Sequence, residues 1–250
     1  MSHLDQLYSD VIQRLSKVHF TPIFGRENKI SPAPQLLEHL QLDATRSAFI
    51  AYAELLATWS KRIDLVADAG AAAIIENHIQ DSLAFALFWS GFDSTVSPRS
   101  ILDIGSGAGL PGVVLAIAFP KATVVLCEPR SLRGEFLKEV RRKLKLTNIE
   151  VAVCRVEELD KQTQVGAKAK LPTTYSHIVS RAVGDYEFLV PLGISLLASE
   201  GNLGLMLGPS ADTEKAAKMA SNQTNPLSFS AMKYILSEVK SRRVFVWRRD

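Results

Sequence analysis

Residues 101–112 read ILDIGSGAGLPG, a strand-like run that passes into a stretch where Gly105, Gly107, Gly109 and Gly112 fall within eight positions. A tight turn alone needs one glycine. The others indicate a ligand that approaches the main chain where a Cβ would block it. Outward from this turn, the short apolar runs SILDI, TVVLC, IEVAVC, HIVSRAV and GNLGLML alternate with helical stretches at 109–119, 132–146 and 184–198. That alternation predicts a parallel sheet with crossover helices. The last two runs, MKYILSEV and RRVFVWRR, have no helix between them and predict a closing antiparallel hairpin. Upstream, Leu4, Leu7, Tyr8, Val11, Ile12, Leu15 and Val18 repeat at helical spacing. Residues 20–34, with Gly25, Pro22, Pro32 and Pro34, read as a linker. Further helices carry Phe49, Tyr52, Leu56, Trp59 and Ile63 on one stripe and run from about Ala71 to Trp89, so the first ninety residues predict a helical layer. There is no internal repeat, and the only low-complexity segment is GAKAK at 166–170.

The 250 residues are 47% hydrophobic and 22% charged, an ordinary globular composition. No run approaches a membrane span, and MSHLDQLYSD lacks a secretory pattern, so the expected location is the cytoplasm and no membrane partner is expected. Cys127 and Cys154 are too few for a disulfide framework or a zinc site, and no metal is expected. Both lie near strand ends and can be neighbours. The formal charge of +3 is modest, but Lys138, Arg141, Arg142, Lys143 and Lys145 share one helix and Arg242, Arg243, Arg248 and Arg249 gather near the C-terminus.

In such a sheet the ligand lies beyond the carboxyl ends of the strands, at the first strand and its helix. Gly107, Gly109 and Gly112 satisfy G-x-G-x-x-G, so a dinucleotide enters consideration. Asp103 inside the strand argues otherwise, because a carboxylate gives nothing to a pyrophosphate but suits a cation. Nothing after the sheet supplies a second domain for a hydride partner. S-adenosylmethionine fits better, with a sulfonium, an ammonium, a ribose and no phosphate. Glu128, at the end of the second strand and 21 positions past Gly107, is placed to accept the ribose hydroxyls.

The run DIGSGAGLPGVVLAI, with FLKEV, LKLTNIEV, the RVEE at Arg155 to Glu158, the SRAV at Ser180 to Val183 and NHIQDSLA at Asn77 to Ala84, resembles the bacterial RsmG (GidB) methyltransferases over about residues 45–208. The resemblance implies a class I S-adenosylmethionine-dependent methyltransferase. Its α/β, Rossmann-like, mostly parallel sheet has an antiparallel last strand and stands behind an N-terminal helical layer. The implied reaction is transfer to N7 of a guanine in 16S ribosomal RNA, with that RNA or the small ribosomal subunit as partner. Carried across, Asp103, Gly105, Ser106, Gly107 and Gly109 match the cofactor loop and Glu128 the ribose acid. Val156 and Glu157 match adenine contacts. Arg181 matches an arginine beside the methyl group, both cofactor-binding and catalytic. His78, Asp81 and Ser82 match the segment that covers the site on the RNA side. Arg130, Arg133, Lys138 and Arg155 are the expected RNA-steering cations. The chain departs from the family pattern at Leu207, where a lysine is usual, at Asp64 in place of an asparagine, and at Leu132-Arg133 in place of a basic pair.

The division expected is an N-terminal helix and linker at 1–34, a helical cap at 35–95 and a methyltransferase domain at 96–250, in a monomer. Guanine N7 carries a free lone pair, so no general base is required, only alignment. The chain lacks the Asn/Asp-Pro-Pro-aromatic run of amino-group methylation and has no cysteine near the fourth or fifth strand for carbon-5 chemistry. The alternatives are an enzyme of this fold acting on another substrate and an RNA- or ribosome-binding module without turnover.

Overall fold

A computed structural model describes residues 2–25, 30, 33–92, 98–159, 171–181, 186–221, 227–237 and 240–249. The GAKAK segment and residues 182–185, which include Val183 of SRAV, lie outside them.

Helix α1 (His3–Leu15) starts with a capping box: Ser2 Oγ accepts from the Asp5 amide at 3.1 Å and Asp5 Oδ2 accepts from the Ser2 amide at 2.7 Å. Tyr8, Val11, Ile12 and Leu15 are its buried stripe. Strand β1 (Thr21–Phe24) follows, then α2 (Pro34–Gln41) and α3 (Asp43–Ser60). A longer helical run joins α4 (Ala71–Ile74), a π-helical turn (Ile75–Ile79) and α5 (Gln80–Phe92). The α/β part contains β2 (Ser100–Ile104), α6 (Gly112–Ala118), β3 (Thr123–Cys127), α7 (Ser131–Lys143), β4 (Ile149–Ala152), a 3₁₀ turn (Val156–Glu158), β5 (Tyr175–Arg181), α8 (Tyr186–Ser195), β6 (Leu197–Leu207), α9 (Thr213–Ser221), β7 (Ser228–Ser237) and β8 (Lys240–Arg248).

The eight strands lie in the order β1-β7-β8-β6-β5-β2-β3-β4. The β4-β3-β2-β5-β6 ladder is parallel, and β8 enters antiparallel between β6 and β7. The central strands are buried on both sides, which is why they read as continuous apolar runs rather than alternating ones. On one face, α1 to α7 and one side of the sheet share an apolar core running from Tyr8 to Val246. On the other, α8 and α9 cover a second core around Leu102, Ile178, Leu203 and Trp247.

Two segments differ from the sequence reading. The 20–34 linker contains β1, which pairs antiparallel with β7 and covers what would be an open sheet edge. Pro22 tolerates this place because an edge strand has amides to spare. Helix α9 was not expected from periodicity, since its buried stripe is only Ala216 and Ala220. Its start signal was present nonetheless: Asp212 Oδ1 accepts from the Lys215 amide at 3.0 Å.

Candidate cofactor and RNA site

The β2–α6 turn is built from backbone that favours glycine: Gly105, Gly107 and Gly109 have φ of +71°, +53° and +84°. Helix α6 therefore starts at Gly112, three residues later than the 109–119 expectation, because a left-handed residue cannot continue a helix. A Cβ on Gly105 would meet nothing within 4 Å, so this residue faces open space at the carboxyl end of the sheet. A Cβ on Gly112 would lie 2.3 Å from Leu126 Cδ2 and 2.5 Å from Asp103 Oδ2. Thus Gly105 serves what comes from outside, and Gly112 serves the packing beneath.

Asp103 is buried under this turn. Its Oδ2 accepts from the Gly112 amide at 3.0 Å, and its carbonyl accepts from Ser106 Oγ at 2.9 Å. Oδ1 has no hydrogen-bond partner among the described residues. Burial, opposed by the Gly112 hydrogen bond and the Arg181 charge, pushes the carboxyl up to about 7. A buried carboxyl with one oxygen to spare fits a cationic ligand group. Glu128, also buried, ties two loops together: Oε2 accepts from the Gly107 amide and Oε1 from the Arg130 amide, both at 2.9 Å. Those bonds leave each oxygen a further lone pair for a ribose hydroxyl.

Beside Gly105 lies a cleft of about 200 Å³ lined by Ile104, Cys127, Val156, Glu157, Leu189 and Leu192 among others. Its mostly apolar walls suit a flat heterocycle, and the half-exposed Val156 and exposed Glu157 stand at its mouth. Arg155 lines the same cleft, as does Phe188, which is 60% exposed. Cys127 and Cys154 are free and buried, with Cys127 Sγ 3.4 Å from the Cys154 carbonyl oxygen, so the expected neighbourhood exists. Burial raises the Cys127 thiol well above its ordinary range, which makes it a packing group.

The sequence-predicted cations divide. Arg133 reaches over the glycine turn, with Nη1 3.7 Å from a Gly107 Cβ position and Nη2 donating to the Asp64 carbonyl at 3.0 Å. Arg130 and Arg133 line a groove of about 640 Å³ with Ile63, Asp64, Pro129 and Leu132. Lys138 stands away from this groove, on the outer face of α7, and pairs with Glu135 at 2.8 Å. Arg141 and Arg142 likewise pair with Glu150 and Glu139, so much of that helix's positive charge is offset. Among the C-terminal arginines, Arg249 donates to the Ile194 and Leu197 carbonyls at the end of α8, and Arg243 donates to the Ala211 carbonyl. Leu207, at the end of β6, is buried opposite Arg243.

His78 and Asp81 meet Arg181 at the end of β5. Arg181 Nη1 is 3.6 Å from Asp81 Oδ2, and Nη2 is 3.5 Å from His78 Nδ1. Ser82, which the sequence reading put in the same polar patch, is fully buried and donates to its own helix at the His78 carbonyl, 2.9 Å away. Direct RNA contact is therefore closed to Ser82, and Asp81, 2% exposed, is an interior carboxylate as well. Sequence reasoning missed three participants. Tyr52 on α3 donates to the Ala108 carbonyl at 2.6 Å and clamps the glycine turn from behind. Tyr234 and Arg242, on β7 and β8, both reach Asp81. Tyr52 was visible only as one member of an apolar stripe, and Arg242 only as one of four basic residues in a tail.

Among the described residues no cluster of His, Cys, Asp or Glu could hold a metal ion, and no helix is long and apolar enough to cross a membrane. Residues 45–243 match the GidB family model, described as rRNA small subunit methyltransferase G. A Burkholderia pseudomallei protein named ribosomal RNA small subunit methyltransferase G is 36% identical over 196 residues, covering 77% of this chain and 81% of that protein. A Xylella fastidiosa protein of the same name is 35% identical over 173 residues, covering 69% and 74%. Among solved structures, the O-methyltransferase TomG from Streptomyces achromogenes, in complex with SAM, aligns over the full length of both chains with a TM-score of 0.54 at 13% identity. That last likeness is one of fold.

Proposed function

The chain belongs to the GidB family and is an S-adenosylmethionine-dependent methyltransferase of small-subunit ribosomal RNA, and from that premise we propose that its acceptor is N7 of a guanine in 16S RNA. The observation that carries this reading is the character of the wall at the end of β5. It presents Arg181, a cation held by a buried carboxylate, where an acceptor bearing a proton would require a base. Among the described residues there, Asp81 is paired with Arg181 and Arg242, His78 turns Nδ1 toward the Arg181 guanidinium, and Asp103 lies under the glycine turn with Oδ2 on the Gly112 amide.

The residues present fit the cofactor. Asp103 Oδ1, without a hydrogen-bond partner among the described residues, would meet its ammonium, Gly105 leaves main chain bare for its approach, Glu128 would hold the ribose, and Ile104, Val156, Glu157, Leu189 and Leu192 would line the place of the adenine. Bound there, the cofactor supplies an electrophilic methyl group on a sulfonium. The protein's own part is positional. Ser106, Gly107 and Gly109 hold the loop, and Arg181 orients the base or its phosphate. Arg130, Arg133 and Arg155 draw the RNA strand across the cleft, with the target base unstacked to enter. Alignment with water excluded supplies about 7–11 kcal/mol in favourable cases, enough to account for much of the rate without proton transfer.

The reading is tested by incubating small subunits from cells lacking this gene with the protein and methyl-labelled cofactor, then mapping the label by borohydride and aniline cleavage at 7-methylguanine. Label at one guanine N7 is expected. Label on a base carbon, an exocyclic amine or a ribose oxygen overturns it.

A further inference from the structure

Asp81 is a buried carboxylate with three partners drawn from two distant parts of the chain, β5 and the β7–β8 hairpin. Tyr234 on β7 donates to Oδ1 at 2.9 Å, while Oδ2 is shared by Arg181 on β5 at 3.6 Å and Arg242 on β8 at 3.4 Å. The side chains of Asp81, Arg181 and Arg242 are 3%, 17% and 32% exposed, so the acid is the interior member and the two cations lie nearer to solvent. Burial and the adjacent carboxylate hold the Tyr234 hydroxyl in its protonated form, so it is a fixed donor. The cluster thus contains one negative and two positive charges, and the oxygen facing Arg181 has a second guanidinium already in place.

We propose that Asp81 is a positioning residue shared between two guanidiniums: it presents Arg181 to the RNA, while Tyr234 and Arg242 keep it paired when Arg181 turns from it toward a phosphate or base oxygen. A buried carboxylate that loses its sole cation is left uncompensated, which is strongly unfavourable. With Arg242 and Tyr234 remaining, Arg181 can leave without that penalty. The arrangement makes the C-terminal hairpin part of the acceptor side of the site, although neither Tyr234 nor Arg242 faces the cofactor cleft. The π-helical turn at Ile75–Ile79 ends two residues before Asp81 and carries His78, the other neighbour of Arg181; such turns widen a helix locally and are frequent at functional sites.

This inference rests on the RNA-methylation reading above for its kinetic test and on nothing but the fold for its spectroscopic one. Arg242→Gln should lower kcat roughly tenfold, leave S-adenosylhomocysteine affinity within about twofold, and be partly rescued by Arg242→Lys. In an Arg181→Ala background the same Arg242→Gln change should have no further effect on kcat, because it acts through the missing guanidinium. Effects that multiply in the double variant overturn the proposal, as does an equal loss of cofactor affinity. Independently of any substrate, nitrogen-15 spectra should show slowed rotation of the Arg181 guanidinium in the wild type and faster rotation in Asp81→Asn. Unchanged Arg181 rotation in Asp81→Asn overturns the proposal whatever the methyl acceptor proves to be. Tyr234→Phe gives a milder variant in which the carboxylate and both arginines remain, and the same acceleration is expected to a smaller degree.

Discussion

The two walls of the proposed site are made in opposite ways. The glycine turn of the cofactor wall is local: Asp103, Ser106, Gly107, Gly109 and Gly112 lie within ten residues, and what they present is mostly main chain. The acceptor wall is assembled from His78, Asp81, Arg181, Tyr234 and Arg242, with up to 161 residues between hydrogen-bonded partners. A local wall tolerates few substitutions, because each atom has a backbone duty. A distributed wall depends on the sheet order that brings its members together, and single changes in it alter charge more than shape.

The sharpest way to break this contrast is at the glycines. Gly112→Ala should destabilise the fold by about 3 kcal/mol, since the new methyl enters space held by Leu126 and Asp103. Gly105→Ala meets open space and should cost only about 1–2 kcal/mol from its left-handed backbone. Yet Gly105→Ala should abolish measurable cofactor binding by calorimetry, because its methyl stands where the ligand must come. Comparable stability losses in urea titrations of the two variants would contradict the division of roles between them.

A second test uses proton linkage. Asp103 is raised from 3.8 to about 7 by burial, so the folded state holds a proton that the unfolded state has lost between those values. Stability contributed by this group is therefore present below pH 3.8 and is lost as the pH rises to about 7. A cationic ligand favours the ionised form, so cofactor affinity should climb by up to about tenfold per unit between pH 5.5 and 7 and level off above. Asp103→Asn should flatten that slope; an identical slope in the variant would remove Asp103 from the ammonium.

The smallest expected effect joins the two walls' surroundings. Tyr52→Phe leaves the Ala108 carbonyl without its donor and should cost about 1–2 kcal/mol in stability, with a few-fold loss of cofactor affinity as the turn loosens. No change in either quantity would show that the helical layer shields the loop without clamping it.

Much of this molecule could be read from one sequence. The glycine turn, Asp103 and Glu128 were legible because their spacing reflects contacts a few residues long or one strand apart, and the central strands because burial on both faces makes them continuously apolar. Strand β1 was hidden by Pro22, since a proline signals a break in the chain but is also tolerated on a sheet edge. Ser82 misled because a hydroxyl on a helix has its own backbone carbonyl within reach, and sequence spacing does not say which way it turns. The basic residues were visible as a charge pattern, while their partners Glu135, Glu150, Glu139 and Asp81 were not, since ion pairing depends on where side chains end in space. By itself, then, the sequence determined the sheet, the glycine turn and the two acids beside it, because those follow from short-range backbone geometry and hydrophobic pattern. Only the tertiary structure decided which charges gather around Asp81, because inserting β8 antiparallel beside β6 is what carries Arg242 and Tyr234 to it.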